Sequence, residues 1–237
     1  MSIVGSEQWM YSSGREFYDF PIEQSLRFND NDSAYLSRTP ASAGNRKTWT
    51  WSGWVKRGGA FTSNQSLFST STNYDDLRFS TSGELLFVGG TSGCTIATTS
   101  VYRDPSAWMS IILSYNSTEA ISSDRVKLYV NGEQVTSLTT AIYPALNREL
   151  DFNNTVAHAI GRRESTDNLY ADLYLADVNF IDGQALDPTS FGELKSGIWI
   201  PKDTADLTFG TNGFRLQFGD TTEASGFNAL TWTGTGQ

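Results

Sequence analysis

Between roughly residues 25 and 218 the apolar residues fall in short runs, most alternating with polar residues at a period of two. No stretch sustains the 3.6-residue period of an amphipathic helix. The clearest run is residues 125–135, RVKLYVNGEQV. Val126, Leu128 and Val130 alternate with Lys127 and Tyr129, so the first three are predicted to face a core and the other two to face outward or toward a partner. Asn131-Gly132 is the pair best suited to a two-residue hairpin turn, because both central residues must tolerate φ > 0. A second strand is predicted over residues 133–135. A lone hairpin is marginal in water, so this one requires a larger sheet.

The same signal recurs along the chain. Leu26 and Phe28 open a strand, an acidic turn follows, and Tyr35-Leu36 resumes extended structure. In residues 48–56, TWTWSGWVK, Trp49, Trp51, Gly53 and Val55 share one face; Thr50, Ser52 and Trp54 share the other. Tryptophan on both faces predicts cover on both sides. Residues 66–69, 77–80 and 84–88 read as three short strands separated by Tyr74-Asp75-Asp76 and Ser82-Gly83. Residues 108–115, WMSIILSY, have the unbroken apolar character of a central strand buried on both faces. Residues 139–150 are ambiguous, and Tyr143-Pro144 argues against regular strand there. Residues 157–161 and 170–181 are further strands. In the longer one Tyr174, Ala176, Val178 and Phe180 are predicted to share one face, with Leu175, Asp177, Asn179 and Ile181 on the other. A short helical turn is expected over residues 185–191, and last short strands at 198–201, 213–218 and 230–232.

Composition narrows the function. The net charge of −9 lacks the basic stripe a nucleic-acid binder needs and disfavours anionic membranes. No run of about 18 apolar residues predicts a membrane span, and the N-terminal residues lack the pattern of a secretory signal. The single cysteine, Cys94, precludes an internal disulfide and a thiolate zinc site; it reads as a small buried hydrophobe. Asn31, Asn64, Asn116 and Asn153 begin Asn-x-Ser/Thr sequons, taken as coincidences in a chain without a signal peptide. The one histidine, His158, stands apart from any nucleophile pattern and reads as structural. Residues 1–23 differ from the rest: Trp9, Met10, Tyr11, Phe17, Tyr18 and Phe20 form an aperiodic apolar arm that needs a surface to cover, either its own domain or another chain.

Three segments together carry a family resemblance. WTWSGWVK, then WMSIILSY with LYVNG, then Gly161 with LADVNF and QALD resemble, in order and spacing, the laminin-G-like, concanavalin A-like jelly rolls over about residues 25–194. Within that group SLRFNDNDSAYLSRTPASAGNRKTWTWSGWVKRG, FIDGQALDPTSFGE and TNGFRLQFGD resemble modules of tail-fibre and other virion appendage proteins of marine bacteriophages, over nearly the whole chain. The resemblance implies an all-β, concanavalin A-like (laminin-G-like) two-sheet antiparallel jelly-roll sandwich over residues 24–219. It implies an anchoring arm over 1–23, and a tail or the start of a further module over 220–237, as at the head of a longer fibre. The expected role is a virion structural protein, most simply the particle-attaching part of a tail fibre that supports host recognition, with a capsid decoration or head-fibre protein as the alternative. Partners would be tail or capsid subunits and further copies of the chain, a trimer being usual for fibres. The protein would assemble in the bacterial host cytoplasm and reside in the virion.

Two other classes compete. Glucanases of this fold need two carboxylates about 5 Å apart on one strand face. The nearest set, Asp172, Asp177 and Asp182, is spaced by five residues and alternates faces, so no enzyme is expected. A lectin-like module contacting host glycans needs exposed aromatics with amide or carboxylate partners. Trp54, Tyr74, Tyr102 and Trp199 are the candidates, with Asp30, Asp32, Asp75 and Asp76 beside them in sequence terms. Asp30 and Asp32 are also the candidate calcium ligands, against the reading that they simply cap a turn. No other cofactor is expected.

Overall fold

The structure is a computed structural model, and it describes residues 17–59, 62–164 and 169–219. In chain order its strands are β1 (Leu26–Phe28), β2 (Leu36–Arg38), β3 (Thr48–Arg57), β4 (Gln65–Thr70), β5 (Asp75–Phe79), β6 (Glu84–Gly89), β7 (Cys94–Val101) and β8 (Met109–Asn116). They continue with β9 (Val126–Val130), β10 (Glu133–Gln134), β11 (Leu138–Ile142), β12 (His158–Ile160), β13 (Leu173–Asp182), β14 (Gly192–Lys195), β15 (Ile198–Pro201) and β16 (Phe214–Leu216). Two seven-stranded antiparallel sheets face each other. One runs β1-β13-β3-β8-β9-β10, with β16 also on β13; the other runs β11-β7-β6-β5-β4-β12-β2. The pair β14-β15 forms a separate hairpin. The expected jelly-roll sandwich is therefore the observed fold.

The alternation in β3 explains how the sheets meet. Trp49, Trp51 and Val55 point into the sandwich with Leu67, Phe68, Leu77 and Phe87 from the facing sheet, all essentially inaccessible to water. Trp49 stacks on Tyr115 at 5.1 Å and tilts against Phe152 at 5.0 Å. The opposite face of β3 is covered as well. Thr50 Oγ1 donates to Gln184 O and accepts from Leu186 N, both at 2.8 Å, pinning the segment that follows β13 across the sheet. Under that segment Ile112, Ile181 and Phe191 form a second apolar cluster, against which Tyr129 packs. This is why the run around β8 is apolar on both faces: Ile111 and Leu113 belong to the main core and Ile112 to the outer cluster.

The hairpin forms as its sequence requires. Asn131 (φ 49°) and Gly132 (φ 81°) both take left-handed backbone, and Val130 lies opposite Glu133 across a two-residue turn. Val126 and Leu128 are buried, Val130 packs on the core, and Lys127 pairs at the surface with Asp124. Residues 138–142 form the edge strand β11, which stops before Tyr143-Pro144. The turn over 185–191 contains one 3-10 turn, Pro188–Ser190, capped by the Asp187 carboxylate, which accepts from Thr189 N. β14 is an additional strand that the apolar pattern did not indicate.

The face assignment in β13 needs correction. Tyr174, Ala176, Val178 and Phe180 do not share one face. Leu173 and Leu175 point into the core, and so do Val178 and Phe180. The register against β3 slips between Ala176 and Asn179, and Asp177 takes φ 43°. A bulge inserts one residue and reverses the parity of everything after it. The same bulge divides the far edge of β13: β1 pairs before it, opposite residues 173–175, and β16 pairs after it, opposite 178–180.

Candidate functional site: an aromatic cleft on the outer face

Trp54 is the one tryptophan of β3 that points away from the core and is only half-buried. Its cross-strand neighbours are Ser110 on β8 and Ala176 on β13. Directly opposed residues share a sheet face, so small neighbours leave open space beside the indole. Trp199 borders that space from β15. The Trp199 indole lies flat against Gly132 and Gly192; a Cβ at either glycine would overlap the ring. Trp108, just before β8, adds a third indole and meets Tyr174 edge-on at 6.5 Å.

The fourth wall is the chain's own N-terminal segment. Residues 17–24 run as a strap over the sheet near the β13 bulge. Asp19 pairs with Lys195 at 2.9 Å, and the Lys195 ammonium sits 5.9 Å from the Phe17 ring. Phe17 and Tyr18 pack edge to face at 5.1 Å. Arg215 lies over Phe20 at 5.3 Å while its guanidinium binds Asp177 and Asp203, at 2.9 and 2.8 Å. Burial would raise the Asp177 carboxyl, and this arginine opposes the rise. Tyr18, Pro21 and Ile22 then line a cleft of about 370 Å³ together with Trp54, Trp108 and Trp199. Ile198, which is 54% exposed, adds apolar surface to the lining.

The structure thus brings Trp54 and Trp199 together, and places Tyr18 beside them. Trp9, Met10 and Tyr11 lie outside the described residues, as does the segment 220–237. Tyr74 and Tyr102 lie apart from the cleft. Tyr74 sits in the turn before β5, at φ 61°, under the Arg163 guanidinium. Tyr102 is half-buried against the core beside Phe79, and its carbonyl accepts from Arg57. Asp75 and Asp76 are buried in β5 rather than offered to solvent. Trp108 was hidden in the sequence because it opens an apolar run that reads as interior; its place before the strand proper, at 37% exposure, is what frees it.

The acidic residues are otherwise engaged. Asp172 pairs with Arg27. Asp182 accepts from Asn45 N and Asn212 N, and from Asn153 Nδ2. Asp30 and Asp32 occupy a 3-10 turn capped by Asn29, whose amide also donates to Asp32 at 2.7 Å. Among the described residues no group of three His, Cys, Asp or Glu side chains is arranged to hold a metal ion. His158 Nε2 accepts from Asn153 N and its Nδ1 faces Val156 O, so the ring is bonded as a neutral imidazole inside the sandwich.

The fold and cleft define an all-β jelly-roll module with an aromatic surface site. A laminin G family model, described as the concanavalin A-like lectin/glucanases superfamily, matches residues 29–190, and the chain belongs to that superfamily. A comparison with curated proteins finds no match. Among solved structures, a putative carbohydrate binding protein from Bacteroides ovatus is 16% identical, with a TM-score of 0.52, over 70% of this chain and 44% of that one. A heptameric SAP-like pentraxin from Limulus polyphemus is 14% identical, with a TM-score of 0.49, over 70% and 79%. Domains LG4-5 of the mouse laminin alpha1 chain are 14% identical, with a TM-score of 0.47, over 73% and 45%. At these identities the likeness is one of fold.

Proposed function

We propose that this chain is a non-catalytic structural module of a bacteriophage virion appendage, a tail fibre foremost, acting by protein–protein assembly. The observation that carries the assembly role is the cleft. Three indoles, a tyrosine and the exposed Ile198 converge on one face, the composition of an interface centre rather than of a solvated surface. The strap that builds one wall is the described end of the arm, so residues 17–24 and the cleft form one docking face. The virion context is supported by the resemblance of residues 25–58, 180–193 and 211–220 to phage appendage modules. Non-catalytic behaviour is supported by the pairing of Asp172, Asp177 and Asp182 with basic or amide partners. Mass spectrometry of purified particles of the phage encoding the chain should detect its peptides at a fixed ratio to the other tail or capsid proteins. Loss of those peptides on repurification, or release of sugar from β-glucans by the isolated chain, would reject the reading.

The convergence of Trp54 and Trp199 favours a second reading, glycan contact by stacking on the same cleft. Base–aromatic and sugar–aromatic contacts both use an exposed ring face, and here two half-buried indoles supply it. On a glycan array, binding that is lost at least tenfold in Trp54→Ala and unchanged in Tyr74→Ala would support this reading; binding insensitive to Trp54 would remove it.

A further inference from the structure

We propose that the glycan taken by the aromatic cleft is an acidic one: a hexuronic acid residue stacks on Trp54 and its carboxylate pairs with Lys56. The inference rests on the reading of the cleft as a site of glycan contact. Lys56 follows Trp54 by two residues in β3, so both side chains leave the same outer face of the sheet. Its neighbours across the strands are aromatic. Tyr174 is its partner on β13, and Trp108, which precedes the Met109 partner of Val55, lies level with it on the other side. Trp108 and Tyr174 meet edge-on, so Lys56 is set among rings at the end of the cleft that Trp108 lines.

The charge of this lysine is the one left open. Lys47 pairs with Glu149, Lys127 with Asp124 and Lys195 with Asp19, and Lys202 donates to Thr189 O. Lys56 has no such partner among the described residues. The Arg27 guanidinium, 4.9 Å from the Tyr174 ring, is paired with Asp172. The carboxylates beside the strap, Asp19 and Asp177, are held by Lys195 and Arg215. Three indoles alone would also suit a quaternary ammonium ligand, but an open ammonium beside them repels one and attracts an anion. The spacing suits a sugar ring. Side chains two residues apart on a strand face stand about 7 Å apart. A ring in contact with the indole takes about 4 Å of that. The remainder, about 3 Å, is the length of a charge-assisted ammonium–carboxylate hydrogen bond. Ser110, opposite Trp54 on the same face, offers a hydroxyl to the sugar hydroxyls.

The test uses the full chain, Lys56→Gln, Trp54→Ala and the control Tyr74→Ala, each checked for fold by circular dichroism. Calorimetric titration at low salt compares oligosaccharides of glucuronate, galacturonate and mannuronate with their methyl esters, which keep the ring and remove the charge. At least one acid should bind at least tenfold more tightly than its ester, both to the full chain and to Tyr74→Ala. Lys56→Gln should abolish that preference, and Trp54→Ala should weaken acid and ester alike. Acid and ester bound equally by the full chain, or a preference for the acid that survives Lys56→Gln, would overturn the inference; where such binding still depends on Trp54, the stacking reading stands. No binding of any acid or ester would remove both. An oligoglutamate peptide bound more tightly than every uronate, with the same dependence on Lys56, would also overturn it, in favour of an acidic protein partner.

Discussion

Replacing Gly132 by alanine should lower the unfolding free energy by about 2–5 kcal/mol and open the aromatic cleft. Two costs add. Gly132 sits at φ 81°, a left-handed conformation that costs an L-residue with a Cβ about 1–2 kcal/mol. The new methyl would also overlap the Trp199 indole, and overpacking of this kind costs about 1–3 kcal/mol. The second cost is the one that reaches function, because Trp199 moves away from Trp54 when its floor rises. The two costs separate in a double-mutant cycle. Trp199→Ala removes the object of the collision but leaves the backbone strain, so Gly132→Ala should be less destabilising in the Trp199→Ala background by about 1 kcal/mol or more. Denaturant midpoints of the four proteins give the cycle. Strict additivity would mean that Trp199 does not rest on the turn.

That experiment joins a feature legible in the sequence to one that was not. The turn at Asn131-Gly132 and the alternation of β9 are local signals, and the structure reproduces both. The two-sided burial of β8 was equally plain from its unbroken apolar run. Period-two counting failed in β13 because it assumes one residue per pleat, and the bulge at Asp177 adds one without any glycine to mark it. The cleft escaped for a different reason. Trp54, Trp108 and Trp199 come from three distant parts of the chain, and small residues of other elements make room for two of them: Ser110 and Ala176 beside Trp54, Gly132 and Gly192 against the Trp199 ring. Pattern along one strand names the face of a side chain. It does not say whether another element will cover that face, and here the segment after β13 covers Thr50 while Trp54, further along the same face, stays half-buried.

Two buried titratable groups should give this sandwich opposing pH dependences that single substitutions uncover. Burial pushes the His158 imidazole down to about 4 from its usual 6.5, assisted by the nearby Arg38 charge, while the bond to Val156 O and the Asp151 carboxylate act the other way. Its folded pKa lies below the unfolded one, so its contribution is full above pH 6.5 and is lost as pH falls toward 4. Burial pushes the Asp75 carboxyl up to about 6 from 3.8. The neighbouring Asp151 charge adds to the rise, and hydrogen bonds from the Asp151 and Phe152 backbone, with Arg148, resist it. Here the folded pKa lies above the unfolded one, so the contribution is full below pH 3.8 and is lost as pH rises through 6. Each displacement corresponds to about 3 kcal/mol, and over the window from about pH 4 to 6 the two nearly cancel. Asp75→Asn should therefore gain stability relative to wild type as pH rises from 4 to 7, by about 2–3 kcal/mol on top of any constant offset. His158→Gln should lose a similar amount relative to wild type over the same range. Chemical denaturation at pH 4, 5, 6 and 7 measures both differences. A flat difference for Asp75→Asn would show that its carboxyl titrates normally in the folded chain, and a flat difference for His158→Gln would show that the imidazole is as free to charge when folded as when unfolded.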